Sequence, residues 1–179
     1  MKTPQSSIAV FIAVLLLAFT AGAAAAKGPD TYGISAAAFP EPGVMTAGQP
    51  TGEQIQLAAE DGYKTIVDLR TAAEPRGFDE VEAARQNGLA YVNVPVDPAA
   101  LDSGAIDHFL AAMRKAQRPV LIHCSTGNRA GALWYAWLVL EKKMPPQAAL
   151  AKARTAGLHQ PELTERIEKL VAARSQPKR

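Results

Sequence analysis

The chain has 179 residues and a formal net charge of +2 at pH 7, with 19 basic and 17 acidic side chains. A balance so close to neutral gives no general electrostatic attraction to nucleic acid or to an anionic membrane. The single cysteine excludes a framework of disulfides within the chain.

Residues 1–26 are typical of a secretory signal peptide. Lys2 is the only charge before an apolar core at 8–19, and small residues follow it up to Ala24-Ala25-Ala26. A core of about twelve residues is short of the roughly 20 that span a bilayer, so we expect no stable membrane anchor after cleavage. The sequence therefore predicts an exported protein, periplasmic or secreted, whose mature chain begins at Lys27.

Residues 27–43 are rich in Gly, Pro and Ala and are predicted to form an extended lead-in. Residues 44–175 have the size of one ordinary domain. Val44 to Ala47 is predicted as a short strand, and Thr51 with Gln54 predicts a capping box at the start of the first helix. Hydrophobic periodicity then predicts, in chain order, a strand at 65–69, a helix at 80–86, a strand at 90–96, a helix capped by Asp102 or Ser103, and a strand at 119–124.

The helix predicted after Arg129 is apolar almost all round, which is typical of a helix buried in the middle of a domain. Pro145-Pro146 ends it, and two further helices are predicted at about 146–156 and 161–173. This alternation predicts an α/β fold with a central, mostly parallel sheet of about four to five strands flanked by helices. Ligands of such sheets bind beyond the carboxyl ends of the strands, where Cys124 and Asp97 are both expected.

The only cysteine lies where an apolar run ends in His123-Cys124, passes through a glycine and reaches Arg129. Backbone N–H groups of such a loop can converge on one anion, and the following helix adds about half a positive charge. The same dipoles favour the thiolate, which is the reactive form of cysteine. We therefore predict Cys124 as a nucleophile and four substrate-binding residues after it: Ser125, Thr126, Gly127 and Asn128.

Arg129 carries a fork of donors that suits a phosphate or a similar oxyanion. The helix dipole disfavours a positive charge at this position, so Arg129 needs an anionic partner. Asp97 follows a predicted strand and is the candidate general acid. The alternative, that Asp97 only forms a turn before Pro98, stays open. Asp102 is the rival acid and is better explained as a helix cap.

His123 is predicted to point away from the loop, because neighbours on a strand face opposite sides, and to hydrogen-bond to backbone. His108 and His159 have no ligand-like partners in sequence and are predicted to be solvated. No Cys, His or carboxylate cluster has metal-ligand spacing, and no Gly-rich nucleotide loop occurs, so neither a metal nor another cofactor is expected.

These residues resemble the protein tyrosine phosphatase superfamily, whose loop has His-Cys, five residues, Arg, and then Ser or Thr. Three further segments resemble one bacterial branch, the phosphatase-like domain of β-lactamase-hydrolase-like proteins: Thr46-Ala47-Gly48-Gln49-Pro50, Ile66-Val67-Asp68-Leu69-Arg70 with Glu74, and Val94-Pro95-Val96 before Asp97. The resemblance implies a dual-specificity-like fold, a phosphocysteine on Cys124, phosphate held by Arg129, and an acid in the position of Asp97. It also implies that Arg70 and Glu74 are structural or rim residues.

The chain departs from the superfamily pattern in two places. Four residues rather than five separate Cys124 from Arg129, and Ala130 stands where a hydroxyl residue is usual. The shorter loop also resembles that of rhodanese-like sulfurtransferases, which carry a persulfide. The leading prediction is an exported cysteine-dependent phosphatase acting on a phosphorylated protein or a small phosphate ester. The alternatives are a persulfide carrier and a non-catalytic anion-binding module.

Overall fold

The computed structural model describes residues 30–175, so the predicted signal peptide and the first residues of the predicted lead-in lie outside the described residues. The elements follow one another in this order: β1 (Ala38–Glu41), β2 (Val44–Ala47), α1 (Gly52–Glu60), β3 (Thr65–Asp68), α2 (Glu80–Gln86), β4 (Ala90–Asn93), α3 (Ser103–Lys115), β5 (Val120–His123), α4 (Asn128–Leu140), α5 (Pro146–Thr155) and α6 (Pro161–Ser175).

The strands form one sheet in the order β1-β2-β5-β3-β4. Only the β1–β2 pair is antiparallel, and the β2–β5, β5–β3 and β3–β4 pairs are parallel. Every residue of β2, β3 and β5 is buried, as expected for strands that helices cover on both faces. The predicted α/β class with a mostly parallel, helix-flanked sheet is confirmed.

The central helix α4 is buried along its length, with Leu140 the only residue that is partly exposed. Gly131 lets this helix approach the α5–α6 loop, because a Cβ there would lie 2.2 Å from the backbone nitrogen of Leu158. The prediction of a buried helix in the middle of the domain is therefore confirmed. The helix begins at Asn128 rather than after Arg129, so the arginine lies inside its first turn.

One strand was not predicted, and another is three residues shorter than predicted. The sequence did not predict β1, which lies in the Gly/Pro/Ala-rich segment and pairs with β2 around the turn at Pro42-Gly43. Strand β4 ends at Asn93 rather than at Val96, because Pro95 has no N–H with which to continue a regular ladder.

The register of the sheet brings the carboxyl ends of three strands to one rim. Ala47, His123 and Asp68 pair side by side at the ends of β2, β5 and β3. The residues that follow them, Gly48, Cys124 and Leu69, therefore meet at that rim. In the described part of the chain, no helix has the length and apolar character needed to cross a membrane.

Candidate active site

The loop between β5 and α4 carries the cysteine. Cys124 is buried, and its sulfur accepts a hydrogen bond of 3.1 Å from the N–H of Gly127. Gly127 has a left-handed backbone with φ of 84°, which turns that N–H inward and begins the helix. A Cβ at Gly127 would also lie 3.1 Å from the Cβ of Ala36, so glycine fits both the turn and the close approach.

The segment before β1 and the end of β2 pack against one side of this loop. Gly48 forms a β-bridge with Thr126 and donates its N–H to the carbonyl of Ser35 at 2.8 Å. The N–H of Gln49 donates to the carbonyl of Ser125 at 3.3 Å. These backbone bonds hold the outer half of the loop without using the side chains of Ser125 and Thr126, both of which are exposed.

The α5–α6 loop packs against the other side through Asn128. Its Oδ1 accepts the backbone N–H groups of His159 and Gln160 at 2.8 and 3.1 Å, and its Nδ2 donates to the Gln160 side chain at 2.8 Å. The Asn128 side chain therefore braces the fold, and only its backbone N–H remains for the predicted role in substrate binding. His159 is exposed, but its backbone belongs to this brace and its Nδ1 lies 2.7 Å from the Gly157 carbonyl.

Arg129 ties the strand ends together. It is the second residue of α4 and is 6% exposed. Its Nη1 donates to the carbonyls of Leu69 at 3.2 Å and Val96 at 2.9 Å. One guanidinium thus joins the end of β3 to the segment after β4, on the rim where the cysteine lies.

Glu74 is the anionic partner that the position of Arg129 requires. Its two carboxylate oxygens accept hydrogen bonds from Nη1 and Nη2 of Arg129, each at 2.6 Å. Ser125 Oγ donates a hydrogen bond of 2.6 Å to the same carboxylate and accepts one of 3.1 Å from Nη2 of Arg129. The N–H of Thr71 also donates to the carboxylate, at 2.8 Å. Hydrogen bonds from Arg129, the largest cause, lower the pKa of Glu74 to about 2.

Asp97 is exposed at the mouth of the same site. Its Oδ1 accepts the N–H of Ala99 at 2.9 Å, so the turn considered from the sequence is present. Asp97 also lines a cleft of about 350 Å³ together with Thr71, Glu74, Pro98 and Arg129. The side chain forms the turn and faces the cleft that contains the arginine, so the two roles are compatible.

A buried charged cluster lies behind the cysteine. His123 is fully buried and points away from the loop, but its Nε2 lies 2.7 Å from Glu80 Oε1, so it contacts a carboxylate rather than backbone. Arg70 donates through Nε to Asp68 at 2.9 Å and through Nη2 to Glu80. Burial opposes ionisation of Asp68, but hydrogen bonds from Arg70 and Tyr91 and the interaction with His123 together outweigh it and hold the pKa of that carboxyl well below its usual range.

Asp68, Glu80 and His123 are the described residues that could together hold a metal, since their ligand atoms lie within 4.8 Å of one another. Arg70 already donates to both carboxylates and supplies the positive charge that they need. A divalent cation added beside a buried guanidinium would be repelled. We therefore assign this cluster a structural role, in agreement with the role that the resemblance implies for Arg70.

The sequence indicated that Arg129 needs an anionic partner but not that Glu74 is that partner. It also missed Asn128 as a brace and Glu80 as a buried acid. A signal for the last of these was present: Arg70 directly follows a buried strand, and a buried arginine needs carboxylates nearby.

The Glu74–Arg129 pair makes stability depend on pH in a defined range. The pKa of Glu74 is lowered from 4.5 to about 2, so the pair stabilises the fold above about pH 4.5 and is lost as the pH falls toward 2. We expect the Glu74→Gln variant to lose less free energy of unfolding than the wild type over that range. Urea unfolding measured at several pH values checks this.

A matched control is Glu60→Gln, which removes an equal charge from an exposed position at the end of α1. This variant should keep the wild-type pH dependence. Identical slopes for wild type and Glu74→Gln would contradict the assignment.

Comparisons with known proteins agree with this geometry. The sequence model of a family described as a DSP-PTPase phosphatase fused to NAD+ kinase matches residues 33–169. A Beta-lactamase hydrolase-like protein of Xylella fastidiosa (strain Temecula1) is 34% identical over 102 residues, which are 55% of this chain and 24% of that protein. The matched part thus spans about a quarter of the curated relative.

Solved structures share the fold. A candidate phosphatase of Shewanella putrefaciens CN-32 superposes with a TM-score of 0.68 at 25% identity, covering 79% of this chain and 94% of that one. Pseudomonas aeruginosa TpbA in complex with pTyr superposes with a TM-score of 0.56 at 20% identity, covering 73% and 79% of the two chains. Because the family model matches more than half of the sequence, the chain belongs to the DSP-PTPase family of phosphatases, which are phosphoric monoester hydrolases.

Proposed function

We propose that the protein is an exported cysteine-dependent phosphatase that hydrolyses phosphate monoesters through a phosphocysteine on Cys124. One observation carries the proposal: the buried sulfur and an inward N–H on the β5–α4 loop and the guanidinium of Arg129 in the first turn of α4 lie at one rim of the sheet. A sulfur nucleophile, backbone donors and an arginine fork are the groups that phosphoryl transfer to cysteine needs.

The hydrogen bonds of Arg129 indicate how phosphate would bind. The five bonds described above all use Nη1 and Nη2, and the Nε–H takes part in none of them. The Nη2–H that now donates to Ser125 Oγ can donate to a phosphoryl oxygen instead, because the Ser125 side chain is exposed and can rotate away. Phosphate would then take the Nε and Nη2 edge, while Glu74 keeps its hold on the adjacent Nη1 and Nη2 edge. Glu74 is thus a positioning residue.

The proposed reaction has two steps. The thiolate of Cys124 attacks phosphorus, and a sulfur–phosphorus bond forms while the bond from phosphorus to the leaving oxygen breaks. Asp97 gives its proton to that oxygen. Water then attacks the phosphocysteine, Asp97 takes a proton from the water, and phosphate leaves with the thiolate restored. No residue of the chain is oxidised or reduced.

For the substrate we propose an accessible phosphate ester, such as phosphotyrosine on a protein or a small phosphate monoester. The cleft that Asp97 and Arg129 line has a small volume, about 350 Å³. Its polar side chains suit a phosphoryl group better than a large apolar ligand. The pTyr complex of TpbA supports phosphotyrosine as the first substrate to test.

Membership in a phosphatase family favours this function over the persulfide carrier and the anion-binding module. The alternatives also differ in what they require. A persulfide carrier needs Cys124 and Arg129 but has no leaving oxygen to protonate, and a binding module needs no nucleophile. The dependence of activity on Asp97 therefore separates the three.

The Asp97→Asn variant should reduce kcat/KM by roughly a hundredfold, because the general acid is lost while an amide can still accept the Ala99 N–H. The loss should be larger for phosphotyrosine than for p-nitrophenyl phosphate, whose leaving group needs less protonation. The measurement is steady-state hydrolysis of both substrates by the purified protein.

The matched control is Asp102→Asn, because asparagine caps a helix as well as aspartate does and Asp102 caps α3. Cys124→Ser should abolish hydrolysis. Equal effects of the Asp97 and Asp102 variants would remove Asp97 from the mechanism, and equal activity of Cys124→Ser and wild type would refute the proposed function.

Export is the other part of the proposal, and it rests on Lys2, the apolar core at 8–19 and the small residues up to Ala26. We expect the protein in the periplasmic or secreted fraction to begin at Lys27. N-terminal sequencing of protein from fractionated cells measures this. A chain that keeps Met1 and stays in the cytosolic fraction would contradict export.

A further inference from the structure

A sizeable cleft lies away from the cysteine. It has a volume of about 670 Å³, and its lining includes three aromatic side chains and three prolines: Tyr32, Phe39, Tyr63, Pro40, Pro42 and Pro119. We call it the aromatic cleft. Val44 and Pro119 lie at the start of β2 and next to the start of β5, so the cleft is at the amino ends of the strands. Strands of four residues separate it from the catalytic rim by roughly 13 Å.

Two tyrosine rings form a corner in this cleft. The rings of Tyr32 and Tyr63 are 6.4 Å apart between centroids and meet at 81°. The hydroxyl of Tyr32 donates to Asp61 Oδ2 at 2.8 Å, which fixes that ring. Tyr32 also has a left-handed backbone with φ of 52°, a conformation that a bulky residue keeps only where its surroundings enforce it.

The charges that line the cleft are negative. Asp30, Glu41 and Asp61 line it, and no lysine or arginine is among its described lining residues. Glu41 is already paired with Arg118 and lies 3.7 Å from Lys142, so its charge is largely compensated. Asp61 is exposed and receives only the neutral Tyr32 hydroxyl among its described hydrogen bonds, so its negative charge stays at the cleft.

We propose that the aromatic cleft binds an organic cation of the quaternary ammonium type, with the cation against the rings of Tyr32 and Tyr63 and Asp61 as its counter-charge. The face of an aromatic ring attracts a cation, and weakly hydrated cations gain most from such contact. Small, strongly hydrated metal ions prefer several oxygen ligands and do not suit a wall of rings and prolines. The shared chemistry is that of free choline and of a choline lipid headgroup.

This site is independent of the proposed phosphatase chemistry, because none of its residues belongs to the catalytic loop or contacts Arg129. Titration with choline, followed by ¹H–¹⁵N NMR, should give saturable shifts at Tyr32, Asp61 and Tyr63. The neutral isostere 3,3-dimethyl-1-butanol has the same shape without the charge, and its affinity should be lower by about tenfold or more. Equal binding of the two compounds would overturn the proposal.

Variants test the same site by charge and by ring. Asp61→Asn keeps an acceptor for Tyr32 but removes the charge, and Tyr63→Leu removes one ring; each should weaken choline binding by roughly three- to tenfold. The matched control Glu60→Gln removes an equal charge one residue away, outside the cleft, and should bind as the wild type does. A loss in Glu60→Gln equal to that in Asp61→Asn would show a general charge effect and overturn the site.

The fold of each variant is checked by the dispersion of its NMR spectrum and by its hydrolysis of p-nitrophenyl phosphate, which should not change. A parallel arm uses phosphatidylcholine vesicles. Binding of free choline supports a small-molecule ligand, and binding seen only with vesicles supports a lipid headgroup. Absence of saturable binding in both arms overturns the proposal, whatever the outcome for the phosphatase.

Discussion

Arg129 carries a positive charge where both burial and the helix dipole oppose it, and the catalytic rim is built around the groups that compensate that cost. Carbonyls from Leu69 and Val96 and the two oxygens of Glu74 surround one guanidinium. Because these groups come from two separate segments, the β3–α2 and β4–α3 connections, the arginine fixes the position of the rim as well as its own. Burial lowers the pKa of Arg129, but the hydrogen bonds that it donates to Glu74, together with its charge interactions with Glu74 and the nearby Cys124 sulfur, outweigh burial and raise the pKa above its ordinary value.

A second set of charges lies beside β5, the strand that leads to Cys124. Arg70 is fully buried between Asp68 and Glu80, and His123 lies against Glu80. Removing one partner from such a buried set typically lowers the free energy of unfolding by about 3–5 kcal/mol, because the remaining charge is left unpaired in the protein interior. The strand that ends at Cys124 thus has a charged network on one side and the Arg129 network beyond its end. We infer that the two together hold the sulfur at a constant position.

The sequence was informative where signals are local. The apolar pattern around Trp134 predicted a buried helix, and the order of Cys124, glycine and Arg129 predicted an anion-binding loop. Contacts across long separations were not predictable, since Glu74 meets Arg129 at 55 residues' distance and Asn128 meets Gln160 at 32. Strand β1 was missed because Gly and Pro dominate its surroundings, and only pairing with β2 makes that segment a strand.

The proposed phosphatase activity depends on Cys124 forming a covalent bond to phosphorus. The most direct measurement is acid quenching of the protein during turnover of an aryl phosphate, followed by mass mapping of the peptide that contains Cys124. We predict a phosphoryl group on Cys124 in the wild type and none at this position in Cys124→Ser. Continued hydrolysis with Cys124 unmodified, or a phosphoryl group on a different residue, would contradict the account.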